Sequence, residues 1–185
     1  MRNRIPSLEP ARALDETREL LERTRREFGR VPRLFAMMAN SPAALRGYLD
    51  FRAALARGRL PATLREQLAL LVSELKGCRY CVSAMASRAA YAGLGAAELV
   101  ASRRAESADP KAAAALRFAT AVFDRNGPVT DAELASLREA GFDDEEICEV
   151  VAHVALSSFV TFFSEVLRPD IDFPPVALTT DDAEV

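Results

Sequence analysis

Cys78-Arg79-Tyr80-Cys81 is the stretch of this chain whose residue types and spacing carry the most chemistry. Two cysteines three positions apart share one face of a helical turn, so their sulfurs can close a small disulfide with modest backbone movement. They form a candidate reversible dithiol. At a helix start, the free N–H groups of the first turn favour a thiolate, and Lys76 and Arg79 add positive charge nearby. The plainer alternative is two small residues buried and inert in a core. Zinc fits poorly, because a structural zinc takes four ligands and the chain has three cysteines and one histidine, with no second close pair.

Four other residues bear on this pair. Glu66 lies in Leu64-Arg65-Glu66-Gln67-Leu68, where a glutamate beside an arginine reads as a solvated or ion-paired residue. Twelve residues of helix put it about 18 Å from Cys78, so only the packing of the next helix can bring the two together. Tyr80 sits between the cysteines. Its hydroxyl can hydrogen-bond a thiolate, but with a pKa near 10 it is a poor base at neutral pH, so packing with a satisfied hydroxyl is the favoured role. Met85, four positions after Cys81, reads as core packing. His153, the sole histidine, sits in the apolar run Val150–Leu156 and reads as a packed residue, with Cys148 on the same helix as a buried free thiol.

Proline and glycine punctuation divides the chain into helices that must position these groups. The pattern predicts a charged helix over 10–28, a short apolar one over 34–39, and others over 42–57, 61–77 and 78–92. Further helices follow over 96–103, 110–125, 131–140 and 143–167. Leu64, Leu68, Leu71 and Leu75 form a core-facing stripe on the helix that carries Glu66. Thr130 and Glu133 have capping-box spacing. Residues 170–175 read as an extended arm. The expected organisation is one helical domain over 1–175, with an acidic, disordered tail over 176–185.

Composition agrees with an all-α class: 185 residues, half of them hydrophobic, with only eight glycines and no tryptophan. A net charge of −3 gives no reason to expect nucleic-acid binding. The early arginines alternate with glutamates, as on a solvated helix face. Three cysteines are too few for a secreted disulfide scaffold, the N-terminus lacks the apolar run of a signal peptide, and no uninterrupted apolar segment reaches the ~20 residues that span a bilayer. The expectation is a soluble cytoplasmic protein without membrane partners, where a close cysteine pair points to redox or metal chemistry more than to a structural bridge.

The segment Leu64-Arg65-Glu66-Gln67-Leu68, followed by Ser73-Glu74-Leu75-Lys76-Gly77-Cys78-Arg79-Tyr80-Cys81-Val82-Ser83-Ala84, resembles the core motif of the alkylhydroperoxidase D and carboxymuconolactone decarboxylase superfamily. Arg30-Val31-Pro32-Arg33-Leu34-Phe35, Asn40-Ser41-Pro42 and Asp170-Ile171-Asp172-Phe173-Pro174 resemble its peroxidase-related branch, so the likeness spans about residues 28–175. The resemblance implies an all-α helical bundle of the alkylhydroperoxidase D type, assembled as a homo-oligomer. It implies an antioxidant enzyme, a thiol-dependent peroxidase that needs no cofactor. Such an enzyme takes a hydroperoxide or another small-molecule substrate and is reduced by an external thiol or dithiol.

By position, the resemblance makes Cys81 the peroxidatic sulfur, Cys78 the resolving one and Glu66 the distal base. The superfamily's relay histidine falls at residue 85, where this chain has Met85, which implies an impaired proton relay. Two other readings keep the fold. One is a cofactor-independent decarboxylase or lactone-processing enzyme with Glu66 as acid or base. The other is a non-enzymatic redox-sensing or ligand-binding oligomer.

Overall fold

The computed structural model describes residues 4–179, and among them the chain contains helices and turns but no strand. A short 3-10 turn at Pro10–Arg12 precedes α1 (Asp15–Phe28), α2 (Arg33–Met38), α3 (Pro42–Leu55), α4 (Ala62–Leu75) and α5 (Arg79–Tyr91). Then come α6 (Ala96–Arg103), α7 (Pro110–Asp124), α8 (Asp131–Glu139) and α9 (Asp144–Leu167).

Local chemistry explains most boundaries. The side chains of Ser41 and Asp109 accept N–H groups in the first turns of α3 and α7, each with proline at the next position. Thr130 and Glu133 form the expected capping box on α8, and Asp143 with Glu146 forms a second on α9. The helix expected over 10–28 is broken instead. Ala13 and Leu14 are extended, and Arg18 donates to the carbonyl of Ala13 at 2.8 Å and to Asp15 at 3.1 Å, so its guanidinium ties this break ahead of α1.

The turn between α4 and α5 places the dithiol. Gly77 has φ +67°, a left-handed conformation that disfavours a β-carbon. It lets the N–H of Cys78 reach back to the carbonyl of Ser73 at 3.1 Å and close α4. Cys78 then caps α5: its sulfur accepts the N–H of Cys81 at 3.2 Å. The short turn folds α5 back against α4.

Two apolar cores share the interior. The first gathers Leu21, Met37, Met38, Leu45, Leu49, Leu70 and Val82. The second gathers Leu68, Leu71, Val72, Leu116 and Leu137. The helix α9 serves both, with Ile147, Val150 and Val154 in the second and Leu156, Val160 and Leu167 in the first. At 24 residues, α9 is long and apolar enough to cross a bilayer by length and composition, although Glu149 and Glu165 leave it without an uninterrupted apolar run, as expected from the sequence. Half of its most apolar window is buried inside the protein, as in a core helix.

The segment after α9 crosses α2 and α5. Asp170 pairs with Arg33 at 2.9 Å and Asp172 with Arg30 at 3.3 Å, and the backbone N–H of Arg33 donates to Asp172 at 2.9 Å. The predicted tail over 176–185 begins too early. The N–H of Val176 donates to the Ser83 hydroxyl at 3.0 Å, Leu178 is buried in the first core, and Thr179 donates to Glu74 from N–H and hydroxyl at 2.6 and 2.7 Å. These residues lack acidic character and carry an apolar side chain with somewhere to go. The remainder of that tail, 180–185, lies outside the described residues.

Candidate active site

Cys78 and Cys81 are joined as a disulfide, with their α-carbons 5.2 Å apart. Both are buried, yet they differ in what they face. Cys81 lines a cavity of about 590 Å³, whereas Cys78 does not. Apolar and aromatic walls come from Phe28, Leu34, Phe35, Tyr80 and Phe173, and the exposed side chains of Arg26 and Tyr91 stand at its rim. Phe173, on the segment after α9, meets the ring of Tyr80 edge-on at 5.7 Å and carries the Arg30 guanidinium 4.3 Å above its own ring.

Glu66 also lines this cavity, so the packing of α5 on α4 brings it to the same space as Cys81. Its Oε1 accepts from Arg88 at 2.6 Å, and its Oε2 is buried with no hydrogen-bond partner among the described residues. A second guanidinium nitrogen of Arg88 donates to the sulfur of Met85 at 3.2 Å. Met85 is therefore packed, as expected, and also serves as a weak acceptor that helps to orient Arg88. A smaller cavity of about 70 Å³ adjoins the first, and Arg52, Glu66, Met85 and Arg88 line both.

Tyr80 has the satisfied hydroxyl expected of it: it accepts the N–H of Leu34 at 3.3 Å. Burial, followed by the charge of Asp172, pushes its pKa well above the ordinary phenol value, so it stays protonated. His153 is buried and lines the smaller cavity, where its Nε2 has no partner among the described residues. Burial, then repulsion from Arg65, lowers its pKa to about 4, so the ring is neutral at pH 7. It does not line the cavity that Cys81 faces. Cys148 is exposed on α9, not buried as expected: its neighbours Ile147 and Val150 take the core-facing positions of that turn. Among the described residues no group of three or more His, Cys, Asp or Glu side chains is placed to hold a metal ion.

The sequence profile of the Carboxymuconolactone decarboxylase family matches residues 42–124, which include Glu66 and both cysteines. An uncharacterized peroxidase-related protein from Ralstonia eutropha JMP134, an alkylhydroperoxidase AhpD core, superposes with a TM-score of 0.81. It is 25% identical, over 91% of this chain and 92% of that one. The matched profile covers the central part of the chain, and the fold is that of the alkylhydroperoxidase D type. The fold recurs in an uncharacterized peroxidase-related protein from Silicibacter sp. TM1040 at TM-score 0.76 and 22% identity, over 96% and 95% of the two chains. It recurs again in a cysteine-to-alanine variant of the debrominase Bmp8, in complex with 2,3,4-tribromopyrrole, at TM-score 0.80 and 18% identity, over 93% of each chain. No curated protein sequence matches this one.

On this scaffold, Arg88 is one site residue that sequence reasoning missed. It lies seven positions after Cys81 and three after Met85, on one face of α5, and that periodicity is the signal that could have found it. Arg52 was missed for a different reason. It comes from α3 and reaches the cavity through tertiary packing, with its guanidinium 4.6 Å from the centre of the Phe28 ring.

Proposed function

We propose that this protein is a dithiol oxidoreductase that reduces organic hydroperoxides, with Cys81 as the attacking sulfur, Cys78 as the resolving one and Glu66 as the proton acceptor. One observation carries the reading: of the two sulfurs, Cys81 alone lines the large cavity, and Glu66 lines it too and has a buried carboxylate oxygen with no hydrogen-bond partner among the described residues. The family-profile match over residues 42–124 and the closed cysteine pair support it.

The chemistry balances with an external dithiol. The Cys81 thiol gives its proton to Glu66, and the thiolate attacks the terminal oxygen of the hydroperoxide. The O–O bond breaks, the alkoxide leaves and takes a proton to become an alcohol, and Cys81 becomes a sulfenic acid. Cys78 then attacks the Cys81 sulfur, forming the disulfide and expelling the oxygen as water. Thiol–disulfide exchange with the reductant restores both thiols. Arg88 holds Glu66 as a paired carboxylate, and Met85 has no proton to pass on, so this reading implies slow turnover. The exposed rim gives a reductant access and suits an antioxidant role in the cytoplasm.

A sulfenic-acid probe tests the assignment. Treated with peroxide, Cys78→Ser should trap the dimedone adduct on Cys81, and Cys81→Ser should give no adduct on Cys78. Labelling of Cys78 alone would reverse the two roles. Labelling of neither cysteine, with activity surviving both substitutions, would leave the decarboxylase reading. Labelling with no turnover under any reductant would leave the redox sensor.

A further inference from the structure

The cavity beside Cys81 has an electrostatic character that a simple alkyl hydroperoxide does not use. Its walls carry four arginines, Arg26, Arg30, Arg52 and Arg88, against two carboxylates, Glu27 and Glu66. The carboxylates are committed. Glu66 is held by Arg88 at 2.6 Å, and Glu27 is shared between Arg23 at 2.8 Å and Arg52 at 3.2 Å. Arg30 is neutralised from outside the cavity by Asp172, and Arg26 has no ion-pair partner among the described residues.

Arg52 and Arg88 are the informative pair. Both guanidiniums pack over the same ring, Phe28, at 4.6 and 5.9 Å from its centre. Two like charges are thus gathered in one half-buried place. The Nε of Arg52 is buried and has no acceptor among the described residues. A buried, unpaired donor on a cation is costly, and although Glu27 already pairs with Arg52 at 3.2 Å, a further anionic acceptor supplies the hydrogen bond that its Nε lacks. Burial, and then the neighbouring charge of Arg88, pushes the pKa of Arg52 down from its ordinary value.

We infer that the substrate is an organic acid: its carboxylate seats between Arg52 and Arg88 against Phe28, and its apolar body lies along Phe35 and Tyr80 with the reacting group toward Cys81. Combined with the proposed function, on which this point rests, the substrate class is a carboxylate-bearing alkyl or aryl hydroperoxide. Reduction gives the corresponding hydroxy acid, with the oxygen leaving as water and the two electrons supplied by the dithiol. A guanidinium fork binds a planar carboxylate through two parallel hydrogen bonds. The cavity volume of about 590 Å³ leaves room for a body of ten or more carbon atoms.

Binding is measured apart from turnover, so that this inference and the peroxidase reading can fail separately. The probes are the para-carboxylate of cumyl alcohol, which contains no peroxide, and its methyl ester. With the oxidised wild-type protein, calorimetry should show the acid binding at least tenfold more tightly than the ester, with the difference shrinking as salt rises. Arg52→Gln should remove most of that difference and leave the ester unchanged. Equal affinity for acid and ester in the wild type overturns the inference, and this comparison needs no variant to fold. Arg52→Gln that folds and keeps the full preference also overturns it.

The kinetic arm uses cumene hydroperoxide and its para-carboxylate. A kcat/KM at least tenfold higher for the acid is expected, and equal values count against the inference. Tight binding of the acid with no turnover of either peroxide would uphold the anion site and sink the peroxidase reading.

Discussion

Met85 and Arg88 together set the state of Glu66. In a superfamily relay the carboxylate works with a histidine; here it is gripped by a guanidinium at 2.6 Å while a thioether stands at the histidine's position. Met85→His places an imidazole within the same turn of α5 as Cys81 and should raise the rate of peroxide reduction by about 10²-fold, the low end of general-base effects. Stopped-flow oxidation of the reduced protein measures it; an unchanged rate would mean that proton transfer is not limiting. His153 yields a second expectation. An unfolded imidazole takes its proton near pH 6.5, and this buried one only near 4. Between those values protons bind the unfolded chain preferentially, so the stability that neutral His153 contributes is present above pH 6.5 and is lost as pH falls toward 4. Urea unfolding of wild type and His153→Leu at pH 7 and pH 5 should differ in their pH dependence by roughly 2 kcal/mol, with the variant losing less. At this scale the cysteines were legible, because spacing of three positions is a local property of one turn. The spacing of Arg88 after Cys81 and Met85 marks its helix face, but its pairing with Glu66, 22 positions away, was not legible, because it is made across a helix–helix contact.

Element boundaries were legible wherever a cap or breaker marks them, as at Ser41-Pro42, Gly77, Thr130 and Asp143. The break before α1 was not, because it depends on Arg18 reaching back to the carbonyl of Ala13. The burial of Leu178 was equally hidden, since it needs the groove between helices that only the fold creates. The outer face of α9 is the element with most left to explain. Val151, Phe159, Phe162 and Val166 are all exposed on it, at spacings that align them along one side. A stripe of this kind on so apolar a helix supports the expected homo-oligomer, with a second copy covering it. Phe162→Glu should shift the sedimenting species to a smaller mass while leaving the helical circular dichroism unchanged. An unchanged mass would exclude this face from the contact. Lys76 lies 4.3 Å over the Phe162 ring, so the glutamate also gains a nearby cation, which favours folding of the variant.

At the scale of the whole molecule, α4 and α9 contribute to both interiors: α4 gives Leu70 to one core and Leu68 to the other, and the first half of α9 completes one core and its second half the other. Neither core can melt without exposing apolar surface that the same two helices hold in place for its neighbour. The two regions should therefore lose structure in a single all-or-none transition, with no populated half-folded species. Hydrogen exchange read by mass spectrometry along a denaturant series checks this: peptides from α3 and from α7 should converge on one opening free energy. Two separate isotherms would mean that the halves melt independently. The cavity beside Cys81 is built from side chains of α1, α2, α3, α4, α5 and α9, so it should vanish with the same midpoint as the helices. Substrate protection, helicity and amide protection then become three readings of one equilibrium.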